Sequence, residues 1–304
     1  MATSSASTDI PPLGKYLAST DKKTRDKAVK SLTVFLSDPS RDVLPQSEMA
    51  KLWKGFWMSD KPLVQQALAT DIANILLAIP NMASSLAFLR GFWEAISREW
   101  SGIDRLRMDK YYMLIRRFVN ATFRLLMRAQ WDEAAIADPG DMRVPSSLTC
   151  HIADIYLEEL DKAYDTSPVE DPLPAPLSML LQPLYDTMAR TPTNATYTRI
   201  QSAFLDSLLS VLSEHDGQFE DEDEDEERSP KRMRLSHPSY NNILHNSCAD
   251  APKSGPLPQP NLKRSVLNQV FETASQETTR DANRRKLYAF VKANSEDDED
   301  KAEQ

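Results

Sequence analysis

The chain has 304 residues, a formal net charge of −9 and 41% hydrophobic residues, a size for one large or two modest domains and an apolar share low enough to predict a disordered portion. Seven glycines argue against a glycine-rich phosphate loop, and two distant cysteines, Cys150 and Cys248, supply no disulfide framework and fit a reducing compartment. No apolar run approaches the roughly 18 residues of a membrane helix, so no membrane contact is expected.

Residues 1–9 read as a flexible N-terminus. The opening string MATSSASTDIPP has neither a basic nor an apolar signal-peptide region, and an intracellular chain is expected. Residues 21–37 carry Ala28, Leu32 and Phe35/Leu36 on one helical side. Pro45 then breaks the chain before a helix at 46–58. Asp60 or Lys61 caps the next helix, since Pro62 is tolerated in a first turn, and Pro80-Asn81 ends it. A helix over 84–100 meets the turn Ser101-Gly102. Asp104 then serves as N-cap of a basic helix running to Arg128, with Ile103 stapled onto Met108. Further helices are expected at 146–164, 175–190 and 194–214. No segment alternates with period 2, so residues 10–215 read as all-α. An irregular HEAT/armadillo-like helical-repeat stack is favoured, and a compact helical bundle is the alternative.

Composition changes near His215. Eight consecutive acids, Glu220 to Glu227, precede RSPKRMRL and a Pro/Ser/Asn-rich stretch to Pro260. Residues 216–304 therefore read as a mostly disordered acidic/basic C-terminal tail. Leu262 to Phe271 is a candidate amphipathic helix within it, and Lys286 to Lys292 a weaker one, each ordered on docking.

Charge is distributed against the global sign in one place. Between Arg105 and Arg128 stand seven basic residues and one acid, Asp109. Lys110, Arg117, Arg124 and Arg128 share one helical stripe, at steps of 7, 7 and 4. Such a stripe serves RNA phosphates, an acidic protein, salt bridges inside the stack, or solvent. Arg105, Arg107 and Arg116 lie at neighbouring angles. Tyr112, beside Lys110, is an aromatic RNA candidate, whereas Tyr111 falls on the apolar face. Trp53, Trp57, Trp93 and Trp100 read as core rather than base-stacking residues. Arg98–Asp104 or Glu99–Arg105 is expected to bridge the turn. No catalytic residue is assigned, because no nucleophile–base constellation stands out. Cys150-His151 and His237…His245-x-x-Cys248 lack the four spaced ligands of a zinc site, and no metal, cofactor or small-molecule substrate is expected. Arg228, Lys231, Arg232 and Arg234 form a nuclear-import-like signal, with Ser229-Pro230 a phosphorylation candidate that would offset their charge. The acidic run is a solvating spacer or a ligand for basic proteins.

The strings LWKGFWMSDKPLVQ (Leu52 to Gln65), FW…REWSGIDRLRMDKYYMLIRR (Phe92 to Arg117) and IADIYLEEL (Ile152 to Leu160) resemble the eukaryotic ribosomal RNA-processing protein one family. The likeness covers roughly residues 10–215. It implies a helical-repeat fold, a nucleolar place and a non-enzymatic role in maturing large-subunit RNA. The partners it implies are precursor ribosomal RNA, other large-subunit assembly factors and ribosomal proteins, with a nuclear import receptor for the basic signal. A nuclear protein scaffold without RNA contact is the alternative reading, and an RNA hydrolase the third.

Overall fold

The computed structural model describes residues 16–17, 19, 21–37, 55–133, 144–167, 169–213 and 239–302. It divides into two compact units. The first holds residues through Ala129 together with Ala137–Ile152, and the second holds Gln130–Ile136 and everything from Ala153 onward.

In the first unit, α1 (Lys22–Leu36) starts at Asp21, whose Oδ2 accepts the Thr24 amide at 3.1 Å, so the sequence supplies its own N-cap. Ala28, Leu32 and Leu36 recur every four residues and are buried. Helix α2 (Pro62–Ala78) has Lys61 at its N-cap and Pro62 in its first turn. Asp71 is its only charged residue, and it packs between α1 and α4 (Met108–Arg128). An interior position of that kind explains why apolar residues surround it. The helix stops where Ile79, preceding Pro80, must turn extended (φ −72°, ψ 120°). Helix α3 (Met82–Glu99) is capped by Asn81, whose Oδ1 accepts the Ala83 amide at 2.9 Å, and runs into a 3-10 turn, Trp100–Gly102. Phe92 of α3 stacks on Phe118 of α4, ring centroids 3.5 Å apart. Helix α5 (Ser146–Asp165) opens in this unit and continues in the second.

The second unit holds α6 (Leu177–Arg190), α7 (Asn194–Ile200) and α8 (Ser207–Ser213). A π-helical turn, Gln201–Asp206, joins α7 to α8, where one unbroken helix over 194–214 was expected. After them come α9 (Asn241–His245), α10 (Gln259–Ser275) and α11 (Asp281–Ala302). Among the described residues, the strands are two residues each, β1 (Ala175–Pro176) and β2 (Ser247–Cys248), paired parallel. The fold is an all-α helical stack.

Two expectations need correction, and a third lies mostly outside the described residues. The expected helix at 46–58 is described only at 55–57; its remainder lies outside the described residues. The basic helix begins at Met108 with Arg107 as N-cap, not at Asp104. Asp104 caps the turn before it, accepting the Arg107 amide at 3.1 Å, and pairs with the Arg107 guanidinium. The tail is the largest correction. Residues 239–295 are folded, because α10 lays Leu262, Val266, Leu267 and Val270 against α6, α8 and α11. The apolar face read as waiting for a partner is covered by the chain's own domain. Asn283 fastens it: buried, its Nδ2 donates to the carbonyls of Met188 (2.9 Å), Ala189 (3.2 Å) and Thr191 (2.8 Å) at the end of α6.

Candidate nucleic-acid interface

Helix α4 places the basic stripe, and its geometry sorts the four cations into different tasks. The apolar face buries Tyr111, Leu114, Ile115, Phe118, Val119 and Leu125 among others. Lys110 is buried with them, only 6% exposed. Its Nζ donates to the carbonyls of Phe56 (3.1 Å), Trp57 (2.7 Å) and Ser59 (2.9 Å). An ammonium has three protons, and all three are used. The acceptors lie where the helical turn at 55–57 ends, a place where carbonyls lack intrahelical partners and carry the negative end of the dipole. The Phe56 and Tyr111 rings flank the ammonium at 5.5 and 5.9 Å. Burial pushes the Lys110 pKa down, opposed by the nearby Asp60.

Arg128 repeats the device at the other end of α4. Its Nη1 and Nη2 donate to Leu77 O (2.6 Å) and Ile79 O (3.1 Å), closing the C-terminus of α2. Two of the four stripe residues therefore terminate neighbouring helices. Arg25 of α1 likewise donates to a backbone carbonyl, that of Ser19, at 3.0 Å.

Arg117 is exposed. Arg124 is half-buried, burial lowers its pKa, and its buried Nε finds no acceptor among the described residues. Arg116 is half-buried and has an interaction of its own. Tyr112 packs between Trp100 (5.9 Å) and His151 (4.2 Å between ring centroids). Arg105 is exposed, whereas Arg107 lies 4.7 Å over the Trp57 ring and pairs with Asp104, whose carboxyl it holds below the ordinary aspartate value. The stripe is thus not one exposed row. Its outward part is Arg117 with Arg124, and Lys110 and Arg128 are withdrawn from the surface row because bare helix ends lie beside them.

The remaining sequence features fall as follows. Trp100 is buried, with Nε1 donating to Ser147 Oγ at 2.8 Å, and Trp57 and Trp93 are half-buried. Trp53 lies outside the described residues. The expected bridges across the turn, Arg98–Asp104 or Glu99–Arg105, are replaced by Arg98–Glu99 at 2.9 Å and Arg107–Asp104, since sequence neighbours reach one another first. Cys150 and His151 sit in the first half of α5, and Cys248 is buried in β2 with its thiol pushed up to about 11 by burial. No group of three His, Cys, Asp or Glu that would hold a metal occurs among the described residues. Arg228, Ser229, Lys231, Arg232, Arg234 and the acidic run lie outside the described residues. Sequence reasoning missed the capping roles of Lys110 and Arg128. It also missed three exposed aliphatics around this segment, Met58 (56%), Leu63 (80%) and Leu106 (94%). Met58 lies between the Trp57 and Ser59 carbonyls that Lys110 binds, and Leu106 adjoins Arg107.

The site thus sits on an all-helical stack that closes its own helix ends with internal cations and leaves Arg117 facing solvent. The chain belongs to the Nop52 family of nucleolar proteins, whose profile matches residues 8–291. It is similar to ribosomal RNA processing protein 1 homolog A of Homo sapiens, 28% identical across 93% of this chain and 70% of that protein. It is 40% identical to ribosomal RNA processing protein 1 homolog B of Homo sapiens, across 48% of this chain and 22% of the relative. A Dictyostelium discoideum relative, ribosomal RNA processing protein 1 homolog, is 25% identical across 67% of this chain and 46% of its own length. The strings LWKGFWMSDKPLVQ and REWSGIDRLRMDK, far apart in sequence, meet in space through Lys110 and Arg107.

Proposed function

We propose that this protein is a non-enzymatic assembly factor for precursor ribosomal RNA processing and large-subunit biogenesis, acting as an RNA- and protein-binding scaffold. The family and the names of its relatives support the process. The observation that carries RNA contact is the pair Arg117 and Arg124: one cation open to solvent and, two turns on along the same stripe, a second that is half-buried. The solvent-facing guanidinium donors of such a pair suit phosphate oxygens. The mechanism is occupancy. Cations neutralise phosphate repulsion while rigid helices hold immature RNA and its companion proteins, other assembly factors and ribosomal proteins, in place.

Reversing both charges (Arg117→Glu with Arg124→Glu) tests this. Two lost phosphate contacts flatten the log–log salt dependence of RNA binding by about 1.4–1.8, at 0.7–0.9 per contact. The circular dichroism helix signal should not change. An unchanged salt slope rejects this surface. It would favour the second reading, a protein scaffold without RNA contact, which the exposed Met58, Leu63 and Leu106 support. Nuclear entry through Arg228, Lys231, Arg232 and Arg234 is part of the proposal. A reporter carrying residues 216–240 enters nuclei, and loses that ability when Lys231, Arg232 and Arg234 become Ala.

A further inference from the structure

Helices α10 and α11 carry a surface on the second unit that the α4 reading does not use. Phe271 of α10 is 51% exposed, and Tyr288 of α11 packs beside it, ring centroids 5.3 Å apart and planes tilted by 58°. A large aromatic half open to solvent offers apolar surface to another flat group.

The charges around it are unusual for this chain. Residues 262–295 contain seven Lys/Arg and three Asp/Glu, and the basic balance ends there, since Glu296 to Asp300 further along α11 are five consecutive acids. Several of these cations have internal tasks. Arg284 donates to the carbonyls of Ala274, Gln276 and Thr279, so it closes the C-terminus of α10 as Lys110 closes its helix. Lys286 bonds Asn194 at 2.5 Å and sits 4.5 Å over the Tyr197 ring. Arg264 and Arg285 are exposed. Arg264 precedes Phe271 by two helical turns, about 10 Å along the same stripe, and Arg285 precedes Tyr288 by about 5 Å along α11. The two helices join through the short turn at 276–280 and pack against each other, which puts Arg264 beyond the aromatic pair on the side away from the turn and Arg285 about level with Phe271. Glu272, also exposed, is the acid nearest in sequence to Phe271, one residue and about 100° further round α10.

We infer that the Phe271–Tyr288 pair is a stacking platform for single-stranded RNA, with Arg264 and Arg285 contacting the flanking phosphates. This deepens the RNA reading but places a second contact on a different unit. Unpaired bases stack on aromatic faces while cations follow the backbone. An acidic peptide would engage the arginines but has no use for the aromatic faces. A duplex keeps its bases stacked inside and cannot use them either. The platform therefore favours single strands, whereas the arginines of α4 serve any phosphate backbone.

The test uses the full chain, a labelled oligouridylate of about 12 nucleotides and an RNA duplex of equal length. Phe271→Leu with Tyr288→Leu preserves apolar bulk and removes both aromatic faces. Single-strand binding should weaken about 5- to 150-fold, with duplex binding unchanged. Phe271→Trp with Tyr288→Phe should retain it. Ultraviolet crosslinking of the wild-type chain to the oligouridylate should map to the peptide bearing Phe271 or Tyr288, a readout that needs no variant to fold. Unchanged single-strand binding in the Leu variant, or crosslinks confined to α4, overturns the platform and leaves the α4 surface standing. Failure of the wild type to bind either RNA overturns both. An acidic peptide that displaces the oligouridylate and binds the Leu variant equally well also overturns the platform.

Discussion

Replacing Lys110 by Met separates a capping lysine from an RNA-binding one. Methionine keeps the unbranched apolar stem and removes the ammonium with its three bonds. Hydrogen bonds to a charged group contribute about 1.5–3 kcal/mol each, but a threefold total overstates the loss. Phe56 O keeps two donors, the Ser59 amide at 3.1 Å and the Ser59 hydroxyl at 2.7 Å, and Ser59 O keeps the Gln65 side-chain amide at 2.9 Å. Trp57 O, whose bond to Lys110 is the shortest of the three at 2.7 Å, loses its donor. Removing the buried ammonium also recovers part of its desolvation. The expected destabilisation is therefore about 2 kcal/mol, the penalty of roughly one orphaned, part-buried carbonyl. With an m-value of about 2 kcal/mol per molar urea, the unfolding midpoint followed by circular dichroism falls by about 1 M. RNA affinity, measured where both proteins are folded, stays the same. Unchanged stability together with weakened RNA binding would refute the capping argument and return Lys110 to the surface row.

Other consequences follow from the same geometry. Asp104 is held below its ordinary value by Arg107, so the stability it contributes is complete above pH 3.8 and is lost as pH falls through the lowered value. The gap in urea midpoint between wild type and Asp104→Asn should accordingly close on acidification below pH 3.8, and a gap that widens there would contradict the assignment. Asn283→Ala should lose about 1–3 kcal/mol from the second unit, seen as faster amide exchange around residues 188–192 and 281–284 with α2 and α4 unaffected. Deleting residues 239–304 removes Leu262, Val266, Leu267, Val270 and Leu287 from the core. At about 1.5–3 kcal/mol each, that is comparable with the 5–15 kcal/mol stability of an ordinary domain, so α6 to α8 should become protease-sensitive. Resistance of that truncated chain to proteolysis would mean α10 and α11 are dispensable appendages.

The helices were largely legible because amphipathic period and punctuation agree. Pro62 and Pro80-Asn81 mark boundaries that the structure keeps within a few residues. Mean composition made residues 216–304 read as mostly disordered, yet the 3.6-period face Leu262–Val266–Leu267–Val270 already marked a helix within them. What the sequence did not show is that this face is covered by the chain's own helices rather than by a partner. The π turn at 201–206 left no sign in residue type, because its extra residue alters hydrogen bonding rather than polarity.

What the sequence determined by itself was the phase of α4: which side is apolar, and that Lys110, Arg117, Arg124 and Arg128 share an angle. What only the tertiary structure decided was which of those cations face solvent. A helical wheel fixes angle but not what stands opposite each level of the helix. Opposite Lys110 and Arg128 stand helix ends whose carbonyls have acceptor capacity to spare, contributed by residues 49 to 54 positions earlier. A buried acceptor draws in a long, flexible cation because leaving the carbonyl unpaired costs more than bending the side chain toward it. Arg117 has no such acceptor in reach among the described residues and stays outside, where an anionic partner can meet it.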